Sequence, residues 1–153
     1  MGHESTIGRP MEILLVEDSL MFARIAIGAL RQGQIAHRLT WLTDGEEALN
    51  FVYRRDRFSQ APRPDLILLD LSLPSLDGRE LLRTIRTDDH YRALPIVVMT
   101  ASTDEVDQAN AEQLDVQGYL IKPLDLVKFI DLLKTLSNYW HRDLLLMDTL
   151  ATP

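Results

Sequence analysis

The sequence predicts an α/β domain built on a five-stranded parallel sheet with helices on both faces. Three observations carry this. Short apolar runs alternate along the chain with stretches of helical periodicity, the pattern of repeated strand–helix units. The runs Ile13-Leu14-Leu15-Val16, Leu66-Ile67-Leu68-Leu69 and Ile96-Val97-Val98-Met99 are continuously apolar, as strands buried on both faces are. Four of the five runs end on groups that carry chemistry: Glu17 and Asp18, Asp70, Thr100, and Lys122. Open α/β sheets place their sites at the carboxyl ends of the strands.

Each element has its own signal. Residues 1–10 are polar, contain two glycines and a proline, show no periodicity, and read as a disordered arm. Strand 1 covers 12–16. Ser19 caps a helix running to about Arg31, with Phe22, Ile25, Ala26, Ala29 and Leu30 on its inner face. Gln32-Gly33 ends it, and 37–42 form strand 2. Thr43-Asp44-Gly45-Glu46 opens helix 2, with Ala48, Leu49 and Val52 inward. Pro62 and Pro64 mark 56–64 as a long loop. Strand 3 ends at Asp70. Pro74 and Gly78 punctuate the loop after it, and helix 3 turns Leu81, Leu82 and Ile85 inward. Strand 4 covers 96–99, helix 4 covers 103–114, strand 5 covers 118–121, and Asp125 opens helix 5. Five strands so connected fit the flavodoxin-like order 2-1-3-4-5. That order makes strands 1, 3, 4 and 5 neighbours and brings the four functional ends together. The folded domain is 11–137, and 138–153 is a C-terminal extension.

Bulk properties narrow the function. A chain of 153 residues is long enough for one domain with a real core. It has no cysteine, which excludes disulfides and thiolate metal sites. No apolar run approaches the roughly 18 residues needed to span a membrane, and no signal-peptide core opens the chain. A net charge of −7 argues against a nucleic-acid surface. The expected location is the cytoplasm.

Three carboxylates at one edge repel one another unless positive charge sits among them. A hard divalent cation held by oxygen, Mg²⁺ with Mn²⁺ able to substitute, answers that need, with Lys122 as a second positive group. Asp70 is then a carboxylate nucleophile for a phosphoryl group. Glu17, Asp18 and Asp70 hold the metal, and Lys122 and Thr100 stabilise the remaining phosphoryl oxygens. Ala101 beside Thr100 is small enough to let the group enter. Taken singly, each residue is more often a cap, a turn or a solvated loop acid. Their conjunction in one strand–helix pattern carries the weight.

The blocks Leu15-Val16-Glu17-Asp18, Leu68-Leu69-Asp70, Leu73-Pro74-x-x-Asp77-Gly78, Val98-Met99-Thr100-Ala101 and Tyr119-Leu120-Ile121-Lys122-Pro123 resemble, in order, those of response-regulator receiver domains, the CheY-like family of two-component signalling. The likeness covers 11–136. It implies phosphotransfer from a sensor histidine kinase to Asp70, Mg²⁺ with the Ser72 backbone carbonyl as a further ligand, and a switch in which Thr100 and Tyr119 move together. It also implies a phosphoacceptor rather than an enzyme acting on other substrates. A narrower likeness, through 58–64, Asp77-Gly78-Arg79-Glu80, Arg92-Ala93-Leu94-Pro95 and Phe129 to Trp140, is to stand-alone regulators that serve bacterial phytochromes. That group implies a homodimer through helix 4, strand 5 and helix 5. On helix 5, Val127, Ile130, Leu133 and Leu136 suit an inward stripe, which leaves Phe129, Tyr139, Trp140 and 144–147 either to fold back onto the domain or, as the likeness favours, to form a twofold interface. Fewer than twenty residues follow Leu136, so output is expected through protein contact, onward phosphotransfer or phosphate disposal.

Three rivals meet specific obstacles. A haloacid-dehalogenase phosphatase needs an acid two residues after its nucleophile, where Ser72 stands. A flavin binder needs a Gly/Ser/Thr-rich loop after strand 1, where Glu17-Asp18 stands. A pseudo-receiver usually lacks one active group, and all five are present.

Overall fold

The computed structural model describes residues 9–33, 36–123 and 125–135. Strands β1 (Met11–Val16), β2 (His37–Leu42), β3 (Leu66–Asp70), β4 (Ile96–Thr100) and β5 (Gly118–Ile121) alternate with helices α1 (Leu20–Gln32), α2 (Gly45–Val52), α3 (Gly78–Arg86), α4 (Thr103–Ala111) and α5 (Leu126–Thr135). All strand pairs are parallel and the order is β2-β1-β3-β4-β5, the flavodoxin-like arrangement expected from the sequence.

Side chains alternate across a strand, so each buried strand feeds two interiors. Ile13 and Leu15 of β1, with Leu66 and Leu68 of β3, face α1 and α5. Leu14, Val16, Ile67 and Leu69 point the other way, toward α2 and α3. This double burial is why the runs carry no polar alternation.

Helix faces depart from the expected ones in instructive ways. On α1 the fully buried positions are Ala23, Ala26, Ala29 and Leu30, while Phe22 is only half-buried. The alanines make a shallow face, and the Phe129 ring of α5 fills the space against it with no exposed surface. Phe129 is therefore a core residue, and its expected place in a dimer interface is corrected. Val127, expected inward, is 67% exposed. The inner stripe of α5 runs through Phe129 and Leu133, because the wide gap over the alanines takes the larger ring. On α2, Phe51 is buried where Leu49 was expected, and Leu49 is half-buried.

Helix α4 stops three residues early. Gln113 takes φ 58°, Leu114 N–H donates to Ala109 O at 3.1 Å and Gln113 N–H to Asn110 O at 3.0 Å. That is a Schellman ending made without glycine, so no sequence signal announced it. Leu114 is buried by the turn instead of by another helical turn. In the expected disordered arm, Arg9 and Pro10 are described, and Arg9 is held: its guanidinium meets both Asp65 oxygens at 2.7 and 2.9 Å. Tyr139, Trp140 and the rest of the 138–153 extension lie outside the described residues.

Phe129→Ala should cost about 3–5 kcal/mol of stability, the range for deleting a fully buried ring. Urea denaturation measures it. A loss under 1 kcal/mol would show that the ring is not part of the core.

Candidate functional site

Parallel register sets the strand ends level. Val16 pairs with Leu69, Asp70 with Met99, and Thr100 with Ile121. The ladder continues past the ends: Glu17 N–H donates to Leu42 O at 3.0 Å and Lys122 N–H to Thr100 O at 2.8 Å. Glu17, Asp70, Thr100 and Lys122 therefore gather at one edge, as expected. The Lys122–Pro123 peptide bond is cis.

The Lys122 ammonium is the centre of this group. It lies 2.8 Å from Glu17 Oε1 and 3.1 Å from Asp70 Oδ2, and 4.3 Å from the centroid of the Phe22 ring. Two carboxylates and an aromatic face all favour a cation there. Burial by itself would depress the Lys122 pKa. The bond to Glu17 and the charge of Asp70 outweigh burial and raise it. Glu17 has no exposed surface. Burial is the largest influence on it and, with the neighbouring Asp70, pushes its pKa up to about 7 against the pull of Lys122. The remaining contacts fix orientation. Glu17 Oε2 accepts from Ser19 N–H at 3.1 Å, Asp70 Oδ1 accepts from Ser72 N–H at 3.0 Å, and the Trp41 indole donates to Glu17 O at 2.7 Å.

The donor set fits a hard cation. One oxygen each from Glu17, Asp18 and Asp70 lies within 4.8 Å of the others, and Asp18 is exposed where an ion would enter. Glu17 Oε1 is buried and has no well-directed hydrogen bond, only the ion pair with Lys122, so it has a lone pair to give. Three oxygens with room for waters are what Mg²⁺ or Mn²⁺ takes. Ser72 and Ala101 are both exposed at the mouth of the site.

Thr100 is fully buried and its hydroxyl is already engaged. It donates to Glu105 Oε1, and Glu105 Oε2 accepts from Ser72 Oγ at 3.3 Å. Tyr119 is half-buried and its hydroxyl donates to Asn110 of α4 at 3.2 Å; burial raises its pKa. Two neighbours were missed at the sequence level. Phe22 was assigned to the core, and nothing local marks it as a cover for Lys122. Glu105 had a signal, the spacing Ser102-x-x-Glu105, which marks a helix start.

Two glycines trap the loop between β3 and α3. A Cβ on Gly78 would lie 2.3 Å from Asp70 O, and one on Gly45 would lie 2.0 Å from Leu76 O. The α3 end of the loop is thereby pressed at Gly78 onto the backbone of Asp70 and Leu71, and two residues earlier, at Leu76, onto the start of α2.

The profile of the response regulator receiver domain matches residues 13–134. The chain belongs to the response regulator receiver domain family. Similarity extends to individual receivers. Response regulator Rcp1 of Synechocystis sp. is 37% identical over 131 residues, which are 86% of this chain and 89% of that protein. The structure of Mn²⁺-bound Rcp1 superposes with a TM-score of 0.72, covering 90% of this chain and 99% of the other at 36% identity. The phosphorylated cyanobacterial phytochrome response regulator RcpA gives 0.72 at 34% identity, covering 86% and 94%. The bacteriophytochrome response regulator RtBRR gives 0.79 at 30% identity, covering 87% and 81%. The receiver is thus related to regulators of phytochromes. Among the described residues no helix is long and apolar enough to cross a membrane.

With Glu17 among the ligands, its raised pKa would make cation binding pH-dependent. Between the ordinary carboxylate value of 4.5 and about 7, the metal-free folded receiver holds a proton that the unfolded chain has released. Metal-free stability should therefore fall as pH rises through that window. A divalent cation competes with the same proton, so its affinity should rise about tenfold from pH 6 to pH 8. Titration with Mg²⁺ or Mn²⁺, followed by calorimetry or by Trp41 fluorescence, measures this. Equal affinity at both pH values would remove Glu17 from the cation site.

Proposed function

We propose that this chain is a stand-alone response regulator that accepts a phosphoryl group from a sensor histidine kinase onto Asp70. One observation carries the reading: the carboxylate ending the central strand lies 3.1 Å from a buried ammonium, beside two further carboxylates suited to a divalent cation. Asp70 attacks the phosphorus of a phosphohistidine. The new P–O bond forms as the P–N bond breaks, and the departing imidazole nitrogen keeps its electron pair. Glu17, Asp18, Asp70 and the Ser72 carbonyl would hold a divalent cation, Mg²⁺ or Mn²⁺, which would supply neutralisation of charge on the transferring group. Lys122 already sits against Asp70 and needs no large movement to meet a phosphoryl oxygen. Thr100 offers a hydroxyl to another oxygen, and Ala101 presents no bulk. Movement of Thr100 then lets Tyr119 leave Asn110 and turn inward, which changes the α4–β5 face that partners read.

The proposed pathway is phytochrome-type light signalling. Similarity to Rcp1, RcpA and RtBRR over most of the chain supports it. Transfer onward in a relay, or use as a phosphate sink for another kinase, is the alternative. The proposed assembly is a homodimer through α4, β5, α5 and the extension with Tyr139 and Trp140. In its favour, β5 is an edge strand, Ile121 and Val127 are exposed, and Ile121, Pro123, Lys128 and Leu132 border an open recess of about 570 Å³.

Asp70→Asn keeps the shape of the side chain and removes the anionic nucleophile. Intact-mass spectrometry after acetyl phosphate and Mg²⁺ should show one added phosphoryl group in the parent and none in the variant. Equal labelling would end the Asp70 assignment. Sedimentation of the full chain should show a dimer, and a chain cut after Ser137 should dissociate at least in part. A full chain that stays monomeric at high micromolar concentration, phosphorylated or not, would rule the dimer out.

A further inference from the structure

The start of α4 holds an incomplete capping box. In that motif the cap serine accepts from a helix N–H, while a glutamate three residues on turns back to accept from the serine N–H. Ser102 and Glu105 have the spacing, and Ser102 Oγ accepts from Asp104 N–H at 3.1 Å. The return half is absent. Ser102 N–H donates instead to Thr100 Oγ1 at 3.2 Å, and the Thr100 hydroxyl passes the chain of bonds on by donating to Glu105, its nearer acceptor, with Ser102 O a longer one at 3.4 Å. Glu105 is held further by Ser72 Oγ at 3.3 Å, from the loop after β3. Thr100 has been inserted into the box.

A hydroxyl has one proton to donate. While Thr100 gives it to Glu105, it cannot give it to an oxygen on Asp70. From this geometry we infer that Glu105 is a positioning residue: it holds the Thr100 hydroxyl away from the phosphoryl position and so sets the resting balance of the switch. The inference rests on the assignment of Asp70 as phosphoacceptor. The same residues supply the return path. When Thr100 turns to a phosphoryl oxygen, Ser102 N–H loses its acceptor and Glu105 loses its donor. Those two groups are the pair that a capping box joins. The exchange gives both groups released by Thr100 a partner in each other, so turning Thr100 need leave neither of them unpaired.

Beryllofluoride with Mg²⁺ is a suitable probe because it mimics a phosphoryl group on a carboxylate. Glu105→Ala should tighten its binding about 2–10-fold, the worth of one net hydrogen bond. Glu105→Gln, whose amide oxygen still accepts, should stay within about twofold of the parent on the same grounds. In a Thr100→Ala background the Glu105→Ala gain should vanish, which a general loosening of α4 would not produce. If Glu105→Ala does not fold, Glu105→Asp withdraws the acceptor by one methylene and takes its place. Unchanged or weaker binding in the variant overturns the inference, and so does the same gain without Thr100. Failure of the parent itself to bind the probe would instead overturn the Asp70 assignment, and the inference with it.

Discussion

One ammonium placed between two buried carboxylates is the interaction on which the site depends. Lys122 comes from the end of β5, an edge strand, while Glu17 and Asp70 come from β1 and β3. The ion pairs thus tie the edge of the sheet to its middle at the point where backbone pairing ends. They also make the cluster tolerable. Without Lys122, two carboxylates with little or no exposed surface would face each other in a poorly solvated pocket, and at least one would be driven to take a proton. The raised pKa of Glu17 shows that the compensation is incomplete. A site left slightly short of positive charge favours a cation.

The strands and their functional ends were legible in the sequence because both rest on local patterns. A strand buried on both faces has to be continuously apolar, and a parallel sheet has to place its carboxyl ends together. Asp70, Glu17, Asp18, Thr100 and Lys122 could be read as one group for that reason alone. Helix faces were less legible, because an inner face is chosen by what lies opposite. Phe129 is inside because α1 offers alanines there, and no window centred on α5 contains that fact. The early end of α4 escaped for a different reason: Gln113 adopts a conformation usually reserved for glycine.

Contacts around the site divide the same way. Phe22 covers Lys122 from 100 residues earlier in the chain, a relation fixed by tertiary packing. Glu105 reaches Thr100 from five residues along the chain, and its spacing from Ser102 was available to be read. What the spacing alone could not show is that a third residue occupies the box. Local rules identify the parts of this receiver well, and what they miss are relations between elements distant in the chain and a residue inserted into a local motif.

The loop after β3 has a consequence for redesign. It is closed where Gly78 lies against Asp70 O and held where Leu76 O lies against Gly45 of α2, and at both contacts a backbone oxygen leaves no volume for a methyl group. Within the loop, Ser72, Pro74, Ser75 and Asp77 are exposed. A library that transplants this segment from another regulator to alter partner choice therefore has a defined frame. The outward positions are open to exchange, while the segment's length and both glycines have to travel with the host.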